Sequence, residues 1–488
     1  MKLQIKHLSA PVLLSSYPVI FLFRVNARIL ALPSLYLPLA VSVLLPVALY
    51  CLLRLMGRQS AIAASNATLA ALVPFFLYGP IFSSLLSVDI FPVEHRTMLP
   101  LMIVLAGYAA FFAAKLEPKR ALHLQAGVRL VFGGLVAYNL AGSLGIEYQK
   151  ANASSGESRE SPRGSTNLGR GTRPDIYYVV LDEFAGFDAM REYWHYAGID
   201  TFESYLEDRG FFVANGSRSP STNTLVEMSE RLNYEPYDDT MDPLTYYDAI
   251  AHNRVMQYLD ALGYSTVAID GARSPYFYAA KTAIASDYDL SYNADSRSGG
   301  GVRFDEFASM VMGMTMLRPL SEADELYGPF ASHGYAVLDS FSTLSDLAEV
   351  PPPRFVYAHI MLPHSPWVFG EDGQITDPKC YHDWNCYLGS YIFATRKLRE
   401  FVDELLSQAD PENPPVIILQ SDHGARNIPY HQGGQGLLPD YPEKYARYIL
   451  NALYLPEFDR STLPDDLAPI NTFPPIFDFY FGDQIPLR

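Results

Sequence analysis

Asp422 and His423, adjacent residues with different ligand atoms, close the stretch Val416-Ile417-Ile418-Leu419-Gln420-Ser421-Asp422-His423-Gly424. An apolar run of strand length ends there in a turn, so a carboxylate oxygen and an imidazole nitrogen can share one metal ion, zinc or manganese by donor type. Gly424 permits the tight backbone that turns both side chains to one centre. Turns of this kind after strands are common, so the pair needs companions. One is Asp182-Glu183, a carboxylate directly after the apolar run Tyr177-Tyr178-Val179-Val180-Leu181. Another is Ser217-Arg218-Ser219-Pro220-Ser221-Thr222-Asn223-Thr224, which enters a helical pattern bearing Leu225, Met228 and Leu232. Free amides and the positive dipole end at a helix start favour an oxyanion held beside a hydroxyl. Metal coordination would make that hydroxyl a nucleophile. Taken singly, the acidic pair opens a solvated loop and the hydroxyl run caps a helix; together the three places suggest a reaction centre.

The elements that must position these residues follow from the hydrophobic pattern. Strands are predicted at 175–181, 264–269, 354–361 and 415–420, and helices near 200–209, 224–233, 247–262 and 386–408. Strand and helix in that alternation imply an α/β domain with a largely parallel central sheet flanked by helices. In such sheets the ligand site lies outside the carboxyl ends of the strands, which is where Asp182 and Asp422 fall. Segment 271–350 stays unassigned, apart from a Met-rich run at 309–317 read as globular core rather than as membrane-associated.

The first 150 residues have a different character. Five apolar stretches, at 8–23, 29–53, 60–88, 98–114 and 126–146, each approach the ~20 residues that cross a bilayer. Lys2, Lys6, Arg54, Arg58, Lys115, Lys119, Arg120 and Arg129 fall in alternate gaps, against Arg24, Arg28 and Arg96 in the others. The amino terminus is therefore expected in the cytoplasm, and five spans put the rest of the chain outside it. The expected division is a transmembrane helical domain over 1–149, a Ser- and Gly-rich flexible linker over 150–172 and an extracytoplasmic domain over 173–488. Residues 1–150 hold 12 of the 36 Lys and Arg but 4 of the 53 Asp and Glu, so the two parts carry about +8 and −25. So acidic an outer domain argues against a nucleic-acid partner. Cys380 and Cys386 lie close in a polar loop, where a local disulfide is the plain reading outside the cytoplasm; a zinc site on these thiols and His382 lacks a second ligand pair.

Asp182 after a first strand, Thr224 at a helix start and Ser421-Asp422-His423-Gly424 near the end resemble, in kind and order, the alkaline phosphatase and sulfatase superfamily. Five spans and an outer domain are similar to its membrane-bound members, the lipoteichoic acid synthases and phosphoethanolamine transferases, in a bacterial cell membrane. The resemblance implies one divalent metal, zinc or manganese with magnesium or calcium as alternatives, held by Asp182, Thr224, Asp422 and His423, with Thr224 also the nucleophile. Glu183 stands where sulfatases often place a second acid. Leu362-Pro363-His364-Ser365-Pro366 is similar to the family's Pro-His-x-Pro strand end and implies substrate contact or proton transfer for His364. His431 follows the Asp-His turn at a distance where the transferases hold a substrate-binding histidine, so the resemblance implies that role, with a solvated loop histidine as the alternative. His359, inside its strand, reads as a core residue. The sulfatase formylglycine setting is absent: Pro220 has Arg218 before it and Thr222 after it. This favours transfer of a phosphate-linked head group, phosphoethanolamine or phosphoglycerol, from a lipid donor to a lipid or glycan. Hydrolysis of phosphodiesters or sulfate esters, and a non-catalytic binding module, are the alternatives. Ser219, Ser221 and Thr222 remain rivals to Thr224.

Overall fold

Long apolar helices account for the amino-terminal part of the computed structural model, which describes residues 7–27, 30, 32–57, 59–88, 94–153, 173–270, 284–291, 306–320, 329–376, 380, 384–426, 438 and 440–488. These helices are α1 (Ser9–Asn26), α2 (Tyr36–Gly57), α3 (Ala61–Val88), α4 (His95–Ala114) and α5 (Pro118–Ala153). Among the described residues four helices, not five, are long and apolar enough to cross a membrane: Leu32–Leu55, Ala61–Leu85, His95–Ala114 and Pro118–Tyr148. The first expected span is the exception. Its 18 residues include three serines, two prolines, Arg24 and Asn26, which dilute its apolar character. One of those serines joins a neighbouring helix, the Ser15 hydroxyl donating to the Ser42 carbonyl of α2, the kind of contact that joins helices in lipid, while Asn26 donates within α1 to the Leu22 carbonyl at 2.8 Å. Helix α5 runs to Ala153, so the first residues of the expected linker are helical; residues 154–172 lie outside the described residues.

The chain divides into two compact units, Met1–Ser155 with Gly300–Leu326, and Gly156–Gly299 with Tyr327–Arg488. The Met-rich run therefore belongs with the amino-terminal helices and not with the α/β core, because its helix Glu306–Gly313 and the turn after it find their apolar and backbone partners there.

The second unit is built on a seven-stranded sheet in the order β2-β7-β6-β1-β5-β3-β4. Its strands are β1 (Ile176–Leu181), β2 (Phe212–Val213), β3 (Ser265–Asp270), β4 (Tyr288–Asp289), β5 (Arg354–Ile360), β6 (Val416–Ser421) and β7 (Asn451–Tyr454). Every pairing from β6 across to β4 is parallel, and β7 and β2 close one edge antiparallel. β1 and β6 are buried at every residue, as strands covered by helices on both faces must be. Alternate side chains feed two cores. Tyr177, Val179 and Leu181 pack with Trp367, Tyr391 and Phe401 on one face, and Ile176, Tyr178 and Val180 pack with Met228, Leu232 and Phe477 on the other.

The helix expected near 247–262 is two helices, α9 (Pro243–Ala251) and α10 (Arg254–Ala261), preceded in the chain by α6 (Phe187–Glu192), α7 (Gly198–Asp208) and α8 (Thr224–Asn233). The break falls at Asn253, whose side chain caps α10 by accepting from the Met256 amide at 2.9 Å. Cys380 and Cys386 form a disulfide with their Cα atoms 5.6 Å apart.

Candidate metal centre

Register brings the first residues together. Leu181 of β1 lies level with Ile360 of β5 and with Ser421 of β6, so Asp182 and Asp422 leave adjacent parallel strands side by side. The Asp182 amide bonds to the Ile360 carbonyl at 3.0 Å, and the His364 amide returns to the Asp182 carbonyl at 3.1 Å. Glu183, with φ of 61°, occupies the left-handed region that a glutamate rarely adopts. In that conformation its amide donates to Asp422 Oδ1 at 3.0 Å while its own carboxylate accepts from the Arg426 amide at 2.9 Å. The second acid is thus committed to holding Arg426.

His423 lies fully buried beside Asp422. Its Nδ1 faces the Gly424 carbonyl at 2.9 Å, which requires the proton on Nδ1 and leaves the Nε2 lone pair for a ligand. Gly424 is required for a reason other than conformational freedom. A Cβ there would stand 2.2 Å from the Tyr445 carbonyl oxygen and 2.6 Å from that of Tyr448. The backbone after β6 runs under a neighbouring loop with no room for a side chain, and the Gly424 amide bonds to the Ala446 carbonyl at 2.9 Å.

Thr224 is the first residue of α8, capped by Asn223, whose side chain accepts from the Leu225 amide at 3.1 Å. The Thr224 hydroxyl is 2.7 Å from Asp422 Oδ2 and 3.4 Å from His423 Nε2. Two of its three rivals are otherwise engaged: Ser219 Oγ donates to the Ser221 carbonyl at 2.8 Å, and Ser221 Oγ to Asp239 at 2.6 Å. Arg231, two turns along α8 and fully buried, secures the geometry. Its guanidinium donates to the Ser421 carbonyl at 2.6 Å, to the Asp422 carbonyl at 2.5 Å and to Glu227 at 2.8 Å. One side chain thereby fixes the helix that carries Thr224 to the turn that carries Asp422 and His423. Burial raises the Glu227 carboxyl to about 7 against the opposing pull of Arg231 and the Ser221 amide.

His359, expected to be a core residue, is buried, but it is also a candidate ligand that the sequence reading did not offer: ligand atoms of Asp182, His359 and Asp422 lie within 4.8 Å of one another, all three residues buried. Its Nε2 is 3.6 Å from Asp182 Oδ2. The signal was its place one residue before the end of β5, on the sheet face covered by α8. A divalent cation fits this group. Two buried carboxylates share the space with imidazoles, and Asp182 Oδ1 has no hydrogen-bond partner among the described residues, a costly state for an anionic oxygen without a counter-charge. Burial pushes the Asp182 carboxyl up, but the surrounding imidazoles of His364, His359 and His423 outweigh it and hold Asp182 well below the usual carboxylate range.

His364 stands at the rim, mostly buried, with Nδ1 2.5 Å from the Ser365 carbonyl and Nε2 3.1 Å from the Arg426 guanidinium. Arg426, two residues after Gly424, is a second omission of the sequence reading; paired with Glu183 at 3.4 Å, it is a cation suited to an anionic substrate. Behind them His333 is buried, and burial with the nearby His364 pushes its imidazole down to about 3. His431 lies outside the described residues, so its expected role in substrate binding has no structural counterpart.

No protein-family model matches the chain, and no curated protein matches it in sequence. Solved structures are similar to it in fold. The integral membrane lipooligosaccharide phosphoethanolamine transferase A of Neisseria meningitidis is 13% identical, with 97% of this chain and 95% of that chain covered at a TM-score of 0.42. The zinc complex of the periplasmic domain of EptC from Escherichia coli is 14% identical over 66% of this chain and 86% of that one, at 0.40. The lipoteichoic acid synthase LtaP of Listeria monocytogenes is 15% identical over 68% and 78%, at 0.38. All three likenesses are distant.

Proposed function

We propose that the protein is a membrane-anchored, metal-dependent transferase that moves a phosphate-linked head group, such as phosphoethanolamine or phosphoglycerol, from a lipid donor to a lipid or glycan acceptor. The observation that carries this reading is the Thr224 hydroxyl at the amino end of α8, 2.7 Å from Asp422 and beside the buried group Asp182, His359 and Asp422. A divalent ion held by Asp182, His359, Asp422 and His423, with Thr224 at its edge, would neutralise phosphate oxygens and lower the hydroxyl pKa.

Thr224 acts as the nucleophile. Its oxygen bonds to the donor phosphorus, the bond from phosphorus to the lipid oxygen breaks, and the hydroxyl proton leaves along the contact with Asp422. His364 carries the proton that the departing lipid oxygen needs. Arg426 binds the phosphate and is kept in place by Glu183. The acceptor hydroxyl then gives its proton to His364 and attacks the same phosphorus, and the bond from phosphorus to Thr224 breaks as the threonine oxygen regains its proton along the contact with Asp422. The dipole of α8 favours the anionic group throughout.

An extracytoplasmic active site is supported by Arg54 and Arg58 around the turn from α2 to α3 and by Lys115, Lys119 and Arg120 at the turn from α4 to α5, which put the carboxyl end of α5 on the outer side whether or not α1 spans. The Cys380–Cys386 disulfide, a bond of oxidising compartments, supports it too. To test the reaction, the full chain is purified in detergent and assayed on chromogenic phosphodiester, phosphomonoester and sulfate substrates. Phosphodiester turnover should fall at least about a thousandfold in Thr224→Ala. Unchanged turnover in that variant contradicts the nucleophile, and turnover of sulfate alone contradicts phosphoryl chemistry.

A further inference from the structure

Residues 306–320 come from the carboxy-terminal part of the sequence yet cluster with the amino-terminal helices. Their attachment is made by backbone. In an unbroken helix the Gly79 amide and the Phe75 carbonyl would bond to each other. In α3, which carries Pro74 and Pro80, both also serve the incoming segment: the Gly79 amide donates to the Met314 carbonyl at 3.0 Å, and the Met316 amide donates to the Phe75 carbonyl at 3.1 Å. The approach is close enough that a Cβ on Gly79 would stand 2.1 Å from the Gly313 carbonyl oxygen. Arg318 completes the junction, donating to Ser83 Oγ at 2.7 Å and lying 4.8 Å from the Phe82 ring.

The amides in the second half of the segment are also all paired. Every backbone N–H from Met314 to Leu320 has an acceptor: Met310, Met312, Phe75, the Thr315 hydroxyl, Thr315 and Leu317 in turn, with Pro319 having none to offer. Such complete pairing is what irregular backbone needs at membrane depth. Its outward side chains are apolar. Leu317 is 36% and Leu320 61% exposed, and Leu77 and Ile81 of α3 and Leu101 of α4, on the helices the segment packs with, are exposed as well. The helix parts it touches, Phe23 near the end of α1, Phe75 to Ser83 in the second half of α3 and the Met98 and Met102 cluster in the first half of α4, all belong to the ends that the basic residues assign to the outer side.

We infer that residues 306–320 are a re-entrant clasp facing lipid: it docks on α3 at the double-proline site, rests Leu317 and Leu320 against acyl chains of the outer leaflet and holds Arg318 near head-group level. Three chain connections, rather than one, then join the two units, and the excursion ties the catalytic unit's polypeptide to the bilayer. This inference does not depend on the proposed reaction, and its test uses no turnover.

In a Cys51→Ser background, full-length protein in liposomes carries a nitroxide label at Leu320→Cys or, as an aqueous control, at exposed Ser461→Cys. The label at position 320 should be relaxed by oxygen in preference to a water-soluble nickel chelate, and the label at 461 by the chelate. Adding Gly79→Val should remove the oxygen preference at 320. Independently of whether that variant folds, Phe75→Cys with Met316→Cys should form a disulfide on mild oxidation. A chelate-accessible label at 320 in the otherwise native chain, or failure of the 75–316 bond to form, overturns the clasp.

Discussion

At the residue scale, two positions separate what a side chain is from what its neighbours make of it. His359 sits inside an apolar strand, where an isolated histidine looks like filler; only the register of β1, β5 and β6 sets it against Asp182 and Asp422. Local pattern carries no information about that register. The nucleophile candidate was readable because Thr224 falls at a helix start, although the cap proved to be Asn223 and the rival serines are turned to other partners. Gly424 was readable as necessary but for a different cause, since the constraint comes from the carbonyls of Tyr445 and Tyr448, distant in sequence. If His359 belongs to the metal group, His359→Ala should weaken zinc affinity by at least about tenfold, as losses at metal sites do. Competition with a chromogenic chelator measures it, and affinity equal to that of the unaltered protein would return His359 to the core.

Among the elements, the strands that end in chemistry were the legible ones. β1, β5 and β6 are buried on both faces and read as short apolar runs, and α8 begins at the expected residue. The antiparallel edge was not read: β2 has two residues and β7 four, too short for a period to appear. The helix Pro329–Ser345 lies in the stretch left unassigned, and the Met-rich run had the composition of core because a membrane bundle and a globular core share apolar chemistry. What joins α8 to β6 is the buried pair of Arg231 and Glu227 with the two carbonyls of the Asp-His turn. Removing the cation alone leaves a buried carboxylate and two carbonyls without it, so Arg231→Met should destabilise the fold by about 3–5 kcal/mol. Denaturant unfolding of the full chain in detergent measures the change. A loss below about 1 kcal/mol would mean that Arg231 does not hold the two elements together.

Across the whole molecule, charge and hydropathy divide the chain much as the structure does, with a net positive helical part and a strongly acidic α/β part. The exception is the return of residues 300–326 to the helical unit, which no composition window could reveal because the deciding contacts are backbone hydrogen bonds to α3. Four of the described helices are long and apolar enough to hold the protein in a bilayer, and the proposed reaction would draw its lipid donor from there. The account therefore turns on whether a lipid head group passes through Thr224. Full-length protein loaded with zinc is incubated with phosphatidylethanolamine and phosphatidylglycerol vesicles, quenched in acid and mapped by peptide mass spectrometry. The account predicts a phosphoethanolamine or phosphoglycerol adduct on the peptide bearing Thr224; release of diacylglycerol with Thr224 unmodified, and undiminished in Thr224→Ala, would contradict it.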